Sequence, residues 1–343
     1  MPELAQMPEL AIPVAADSAA AADERETHGA AIASVAMAVP DTVVPNGPIA
    51  ERLGIAEEWI VKRTGVRERR RAQPSERLAD FAVEAGRRAL ARAGVEATDL
   101  DLVLVATITP DAVAPNSAPV VAAELGATGA GAVDLGAACN GFISGMALAS
   151  GQIEAGRAET VLVIGADLLS RITDLDDRAT ATLLADGAGA AVVRETGART
   201  RIGPTVLGSD GASADLITAD RAGGLLRMNG HDTFKHAVAR MSEATRAVLA
   251  RAGRDLDDVD LFVYHQANSR IITAVGAELG LPADRVVDYV PRFGNTSAGT
   301  IPIALALAEQ EGRIADGALV LASAFGAGLA WGATLIEWGM GDG

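Results

Sequence analysis

The sequence predicts an α/β protein built from two duplicated halves, and three observations carry that expectation. Leu-Ala-Arg-Ala-Gly stands at 90–94 and again at 249–253. Each copy is followed by an acidic linker and an apolar run, Leu102-Val103-Leu104-Val105 in one case and Leu261-Phe262-Val263-Tyr264 in the other. Each unit therefore reads as a helix stopped by glycine, a short turn and a buried strand. A second echo joins Gly187-Ala188-Gly189-Ala190-Ala191 to Gly326-Ala327-Gly328-Leu329-Ala330, in the same order within each half. Finally, further buried strands are expected at 133–135, 161–165, 286–287 and 319–321, alternating with apolar or amphipathic helices. That alternation points to mostly parallel sheets covered on both faces.

The halves are expected at 29–197 and 198–343, with the boundary near 195–203. No Pro- or Ser-rich linker separates them, so they should pack closely. Residues 1–28 read as an N-terminal extension, Ala-rich and acidic, with Met-Pro-Glu-Leu at 1–4 and again at 7–10. Of the 343 residues 49% are hydrophobic but only 3% aromatic, so a large core must be made of Ala, Val, Leu and Ile. A net charge of −16 excludes a general nucleic-acid binder, which needs a broad basic surface. One cysteine, Cys139, rules out an internal disulfide and a Cys-rich metal site, and leaves either a structural or a reactive thiol. No uninterrupted apolar run reaches membrane-spanning length, and the N-terminus lacks a basic start and an apolar signal core. A soluble cytoplasmic protein is the expectation.

Cys139 follows the strand at 133–135 and opens an uncharged helical stretch, 141–153. A thiol at a buried helix start faces free N–H groups and the positive end of the dipole, which favour the thiolate. Alone, the segment equally fits a small apolar cysteine packed in an interior. His265 ends the strand 261–264, where α/β folds place their sites, although a single His is more often structural. His28, His231 and His236 have weaker contexts. Asn295 lies in Phe293-Gly294-Asn295-Thr296-Ser297-Ala298-Gly299-Thr300, before an apolar helix at 301–308. Thr296 or Ser297 there would serve as an ordinary helix cap. Phe325-Gly326-Ala327-Gly328, between two strands, is a tight turn or a close approach of backbone to a ligand. Asp186-Gly187-Ala188-Gly189 is followed by a strand rather than a helix, which excludes a dinucleotide loop.

Taken together, these segments resemble a known family. Ala137-Ala138-Cys139-Asn140-Gly141-Phe142, His265-Gln266-Ala267-Asn268 and Gly294-Asn295-Thr296-Ser297-Ala298 are similar, in order and spacing, to the active-site motifs of ketoacyl synthase III. Trp59-Ile60-Val61-Lys62-Arg63-Thr64-Gly65-Val66-Arg67, the Asp186 motif and the Phe325 motif also match, so the resemblance runs from about residue 29 to the C-terminus. It implies a thiolase-like fold of two halves in five layers, α-β-α-β-α, and a homodimer. By the same resemblance Cys139 is the acyl-carrying nucleophile, with the N–H groups of Cys139 and Ala327 holding the oxyanion. His265 and Asn295 are the decarboxylation pair, and Trp59, Arg63 and Arg178 contact acyl-CoA. Lys235 and Arg270 dock the acyl carrier protein, with Arg67, Arg69, Arg70 and Arg71 adding positive charge nearby. Ala114 and Leu184 belong to the acyl pocket, and the small Ala114 implies a starter larger than acetyl. Acyl-CoA and malonyl-carrier protein are the substrates; no metal or cofactor and no nucleic-acid or membrane partner is expected. Two departures concern the substrate: Asn140 stands where a smaller residue is usual, and 208–228 is short. An acyltransferase acting on a hydroxyl or amine would not need Asn295, and a non-catalytic partner subunit would not need Cys139. Condensation is therefore the favoured reading, in a fatty-acid pathway or priming a polyketide one.

Overall fold

The computed structural model describes residues 28–197, 199–220 and 224–340. All of the expected extension except His28 lies outside these residues. The first half runs β1 (Ala30–Ala38), β2 (Val43–Pro45), α1 (Asn46–Leu53), α2 (Glu57–Thr64), β3 (Glu68–Arg70), α3 (Leu78–Ala93), β4 (Leu102–Ala106), α4 (Ser117–Leu125), β5 (Gly131–Leu135), α5 (Gly141–Glu154), β6 (Thr160–Leu168) and β7 (Asp186–Glu195). The second runs β8 (Ile202–Ser209), β9 (Ile217–Thr218), β10 (Arg227–Met228), α6 (Gly230–Ala252), β11 (Leu261–Tyr264), α7 (Ser269–Leu279), α8 (Val290–Phe293), α9 (Thr300–Gln310), β12 (Leu319–Gly326) and β13 (Ala330–Glu337).

The repeated pentapeptides close α3 and α6. Gly94 and Gly253 adopt left-handed conformations (φ 63° and 62°) that return the N–H to the last helical carbonyls. Each is followed by a 3₁₀ turn and then β4 or β11. The first sheet has the order β1-β7-β6-β4-β5 and the second β11-β12-β13-β8. Read backwards, the second order retraces the first up to β4. The counterpart of β5 is what remains of the strand expected at 286–287. It is a single parallel bridge, Phe262 to Val286, because Asp288 and α8 follow at once and leave no length for pairing.

The sheets are mixed rather than mostly parallel. Pairs β4–β5, β4–β6 and β11–β12 are parallel, whereas β1–β7, β6–β7, β12–β13 and β13–β8 are antiparallel. The strands that mislead are buried on both faces, β6 along its whole length, so they read as continuous apolar runs whatever their direction.

The layers follow from which helices touch which sheet. Helices α3 and α4 cover the outer face of the first sheet and α6 that of the second, with α7 packed beside α6 in the same apolar cluster. Helices α5 and α9 lie between the sheets. Phe142, Ile143 and Met146 from α5 pack there with Ile301, Ile303 and Leu305 from α9, against Val163 and Val263. This is the five-layer α-β-α-β-α arrangement. Gly189 makes the central layer fit: a Cβ there would lie 2.8 Å from Pro302 Cβ at the start of α9. The Gly-Ala-Gly motif is thus a seat for a helix. None of the described helices is long and apolar enough to cross a membrane.

Candidate active site

Both central helices start at the same place. Cys139 sits in the 3₁₀ turn Ala138–Asn140 that leads into α5, and the Ser297–Gly299 turn leads into α9. Ala138 (φ 46°) and Ser297 (φ 51°) are the two non-glycine residues in the left-handed region among those described. Such backbone costs of order 1–3 kcal/mol and persists where packing imposes it. The end of β12 presses on the same turn. A Cβ at Gly326 would lie 2.8 Å from the Cys139 nitrogen and 2.9 Å from its Cβ, so only glycine lets the two segments meet.

His265 follows β11, its N–H donating to the Ser323 carbonyl at 2.8 Å. Its ring Nδ1 lies 2.6 Å from Thr300 Oγ1. Burial pushes the imidazole down to about 3, so the ring is neutral at physiological pH. Asn295 is held by backbone on both sides: its N–H donates to Leu183 O, and its carbonyl accepts from Ala185 N–H, each at 2.9 Å. Its side-chain Oδ1 accepts from the Ser297 N–H at 2.8 Å. That bond fixes the carboxamide, leaving the Nδ2 donors for the site.

These groups line one cavity of about 640 Å³, with Cys139, His265 and Asn295 in its wall beside Ala327 and Leu184. Trp59, Arg63 and Arg178 also line it, with the Arg63 guanidinium 5.8 Å from the Trp59 ring centroid. So do Lys235 and Arg270, both exposed, the latter 5.7 Å from the Phe234 ring. Ile217 and Met228 add apolar wall. Ala114 is exposed on the loop after β4 and is absent from this wall. No cluster of three or more metal-ligating side chains occurs among the described residues.

Three sequence-based expectations need correction. Burial pushes the Cys139 thiol up to about 11; a Ser297 hydrogen bond opposes this and the Asp167 charge adds to it, so the resting group is a thiol and not a thiolate. Arg69 contributes nothing to a basic rim. It is fully buried, donating to Asn46 Oδ1 at 2.7 Å and to the Thr182 carbonyl at 3.1 Å. The Thr/Ser cluster before α9 is not a helix cap, since Gly299 holds the cap position without a side-chain bond. Ser297 Oγ instead lies 3.5 Å from Cys139 Sγ, and Thr300 meets His265. Reading Ser and Thr before an apolar helix as caps hid both contacts, and a Gly at the cap position was the one available signal.

A two-half, five-layer fold with a cysteine, a neutral histidine and an oriented asparagine around one cavity defines a thiolase-fold acyl-transfer enzyme. Residues 133–211 match the family model of 3-oxoacyl-[acyl-carrier-protein] synthase III, and residues 249–338 match the model of its C-terminal part. The chain is 46% identical over 312 residues to β-ketoacyl-[acyl-carrier-protein] synthase III 2 of Streptomyces coelicolor, covering 90% of this chain and 94% of that one. The crystal structure of 3-oxoacyl-(acyl carrier protein) synthase III from Pseudomonas aeruginosa superposes with a TM-score of 0.87 at 40% identity, over 91% of this chain and 98% of that one. The priming β-ketosynthase of the R1128 polyketide pathway gives a TM-score of 0.88 at 36% identity, over 92% and 97%. The chain belongs to the β-ketoacyl-[acyl-carrier-protein] synthase III family.

The raised thiol ionisation carries a pH prediction. With its ionisation pushed up to about 11, Cys139 is protonated at neutrality, and alkylation by iodoacetamide should keep accelerating as pH rises through the alkaline range. A rate that levels off near neutral pH would contradict this environment for the sulfur.

Proposed function

We propose that this enzyme joins an acyl-CoA starter to malonyl-carrier protein by decarboxylative Claisen condensation, giving a β-ketoacyl thioester. The observation that carries the reading is the Ser297 N–H bond to Asn295 Oδ1. It turns the Asn295 Nδ2–H toward the cavity that His265 also lines. Two neutral donors on one oxygen are what an enolate needs, whereas acyl transfer to a hydroxyl or amine would not need the Asn295 donor.

In the first half-reaction Cys139 Sγ attacks the acyl thioester and coenzyme A leaves as its thiol. The thiol proton lost by Cys139 balances the one gained by the departing sulfur. The N–H groups of Cys139 and Ala327 hold the tetrahedral oxyanion. Since the resting sulfur is protonated, this stabilisation and loss of the proton must accompany attack. In the second half-reaction the malonyl thioester carbonyl accepts from His265 and Asn295. The C–C bond to the carboxylate breaks, CO2 leaves, and its electron pair forms the enolate. That carbon attacks the acyl-Cys139 carbonyl and expels the Cys139 sulfur, which regains a proton. Removing one such donor typically raises a barrier by about 2.7–4 kcal/mol. Trp59, Arg63 and Arg178 hold coenzyme A at the mouth. The exposed Lys235 and Arg270 steer an acidic carrier protein to an otherwise acidic enzyme. The likeness to a priming ketosynthase supports a polyketide starter role beside the fatty-acid one.

The proposal includes a homodimer. Among the described residues β5 is an unpaired edge of the first sheet, and Val133 on it is 48% exposed. Leu148 on α5, which touches β5, is 46% exposed, and Val113 beside Ala114 is 77% exposed. An apolar unpaired edge is completed by a second copy. The exposed Ala114 loop then closes the partner's acyl pocket with a small side chain, leaving room for a starter larger than acetyl. Val133→Lys should sediment as a monomer and lose the wild type's higher kcat/KM for hexanoyl-CoA than for acetyl-CoA. A dimeric variant, or a wild type that prefers acetyl-CoA, would refute this part.

Asn295→Asp separates the half-reactions, because a carboxylate replaces a donor beside a developing negative charge. Stoichiometric acylation of Cys139, read by intact mass, should persist. CO2 release from malonyl-carrier protein should fall at least about a hundredfold, the lower end for loss of one oxyanion donor. Equal loss of both would remove the assignment, and wild-type acylation of a hydroxyl or amine without CO2 release would favour the acyltransferase alternative.

A further inference from the structure

We propose that Thr300 sets the tautomer of His265: its hydroxyl donates to Nδ1, so the ring's single proton sits on Nε2 and faces the cavity. The inference rests on the donor role given to His265 above and supplies what that role requires. A neutral imidazole has one proton for two nitrogens, and only the Nε2–H form can donate into the cavity while Nδ1 is turned to the protein.

The contact between Nδ1 and Thr300 Oγ1, at 2.6 Å, is the ring's one hydrogen bond among the described residues. Thr300 is 2% exposed, so water does not compete for its hydroxyl. That hydroxyl has a second acceptor in reach, the Ser297 carbonyl at 3.0 Å. The hydroxyl can donate to Nδ1, or it can donate to the Ser297 carbonyl while accepting from an Nδ1–H; the donor role given to His265 Nε2 selects the first. The Ser297 carbonyl does not depend on the hydroxyl, because it already accepts from the Thr300 backbone N–H. Turning the hydroxyl to Nδ1 thus still leaves that carbonyl its backbone donor.

The neighbouring donor is fixed from the same segment. Ser297 N–H holds Asn295 Oδ1, and three residues on, Thr300 holds His265 Nδ1. The start of α9 thus orients both donors, one through backbone and one through side chain. Thr300 does not line the cavity and acts as a positioning residue.

The test uses full-length enzyme labelled with ¹⁵N-histidine, without substrate. A two-bond ¹H–¹⁵N correlation spectrum shows which ring nitrogen bears the proton, with His265 assigned by its loss in His265→Ala. Wild type and Thr300→Ser should show Nε2 protonated. Thr300→Val should show a mixture or the Nδ1 form. In the same variants Thr300→Val should lose at least about tenfold in CO2 release, toward the roughly 10⁴-fold loss caused by a wrong histidine tautomer in a catalytic triad. Cys139 acylation should be unchanged, and Thr300→Ser should restore CO2 release. Wild-type His265 protonated on Nδ1 would overturn the proposal, as would a Thr300→Val spectrum like wild type; because the wild-type spectrum alone decides, a variant that fails to fold does not shelter it. Absence of any CO2 release by wild type would instead remove the function proposed above, while the spectrum would still decide the tautomer.

Discussion

One buried carboxylate holds the active-site loops in place. Asp167, at the end of β6, is fully buried and has no cationic partner among its hydrogen bonds. Its Oδ1 accepts from the Thr107 hydroxyl at 3.0 Å, the Ile108 N–H at 2.8 Å, and the Thr109 N–H and hydroxyl at 3.1 and 2.9 Å. Its Oδ2 accepts from the Ala298 N–H at 3.3 Å. A charge taken from water is costly unless such donors replace its hydration, and burial accordingly pushes this carboxyl above the usual range. The result ties the end of β4 to the turn before α9, across the two halves. Gly165 completes the joint, since a Cβ there would overlap the Ala298 carbonyl.

From that joint the chemistry follows. Fixing Ser297 and Ala298 fixes Asn295 and Thr300 on either side, and through Thr300 the ring of His265. Desolvation of these groups also suppresses charge on them. Cys139 is held as a thiol and His265 as a neutral imidazole. The site is therefore suited to stabilising negative charge that develops on substrate oxygen, first in the tetrahedral adduct and then in the enolate. Preorganised donors in a low-dielectric cavity act without reorganising at the moment of reaction.

Much of the frame was legible because duplication and strand-end placement leave local marks. The paired Leu-Ala-Arg-Ala-Gly segments mark equivalent helix ends; Cys139 stands in, and Asn295 just before, the turns that lead into the two central helices, and His265 stands at the end of a buried strand. Their convergence on one cavity is non-local, and only the resemblance of ordered motifs pointed to it. Strand direction was not legible, since β6 is buried along its whole length and antiparallel to β7. Neither was the inward turn of Ser297 and Thr300, whose residue types suit a helix cap equally well. Arg69 looked like one of a surface run because burial of a guanidinium against carbonyls leaves no trace in composition. The thiol's protonation depends on its desolvation, a property of packing rather than of its place before a helix.

The central claim is that acylation and decarboxylation use different groups around one cavity, Cys139 for the first and the His265–Asn295 pair for the second. Cys139→Ala tests it most directly, with acyl transfer read by intact mass and CO2 release from malonyl-carrier protein measured in the same sample. The account predicts no acyl adduct at position 139 but continued CO2 release, with the enolate taking a proton to leave acetyl-carrier protein. Loss of CO2 release in step with acylation, in a variant shown to be folded, would contradict it.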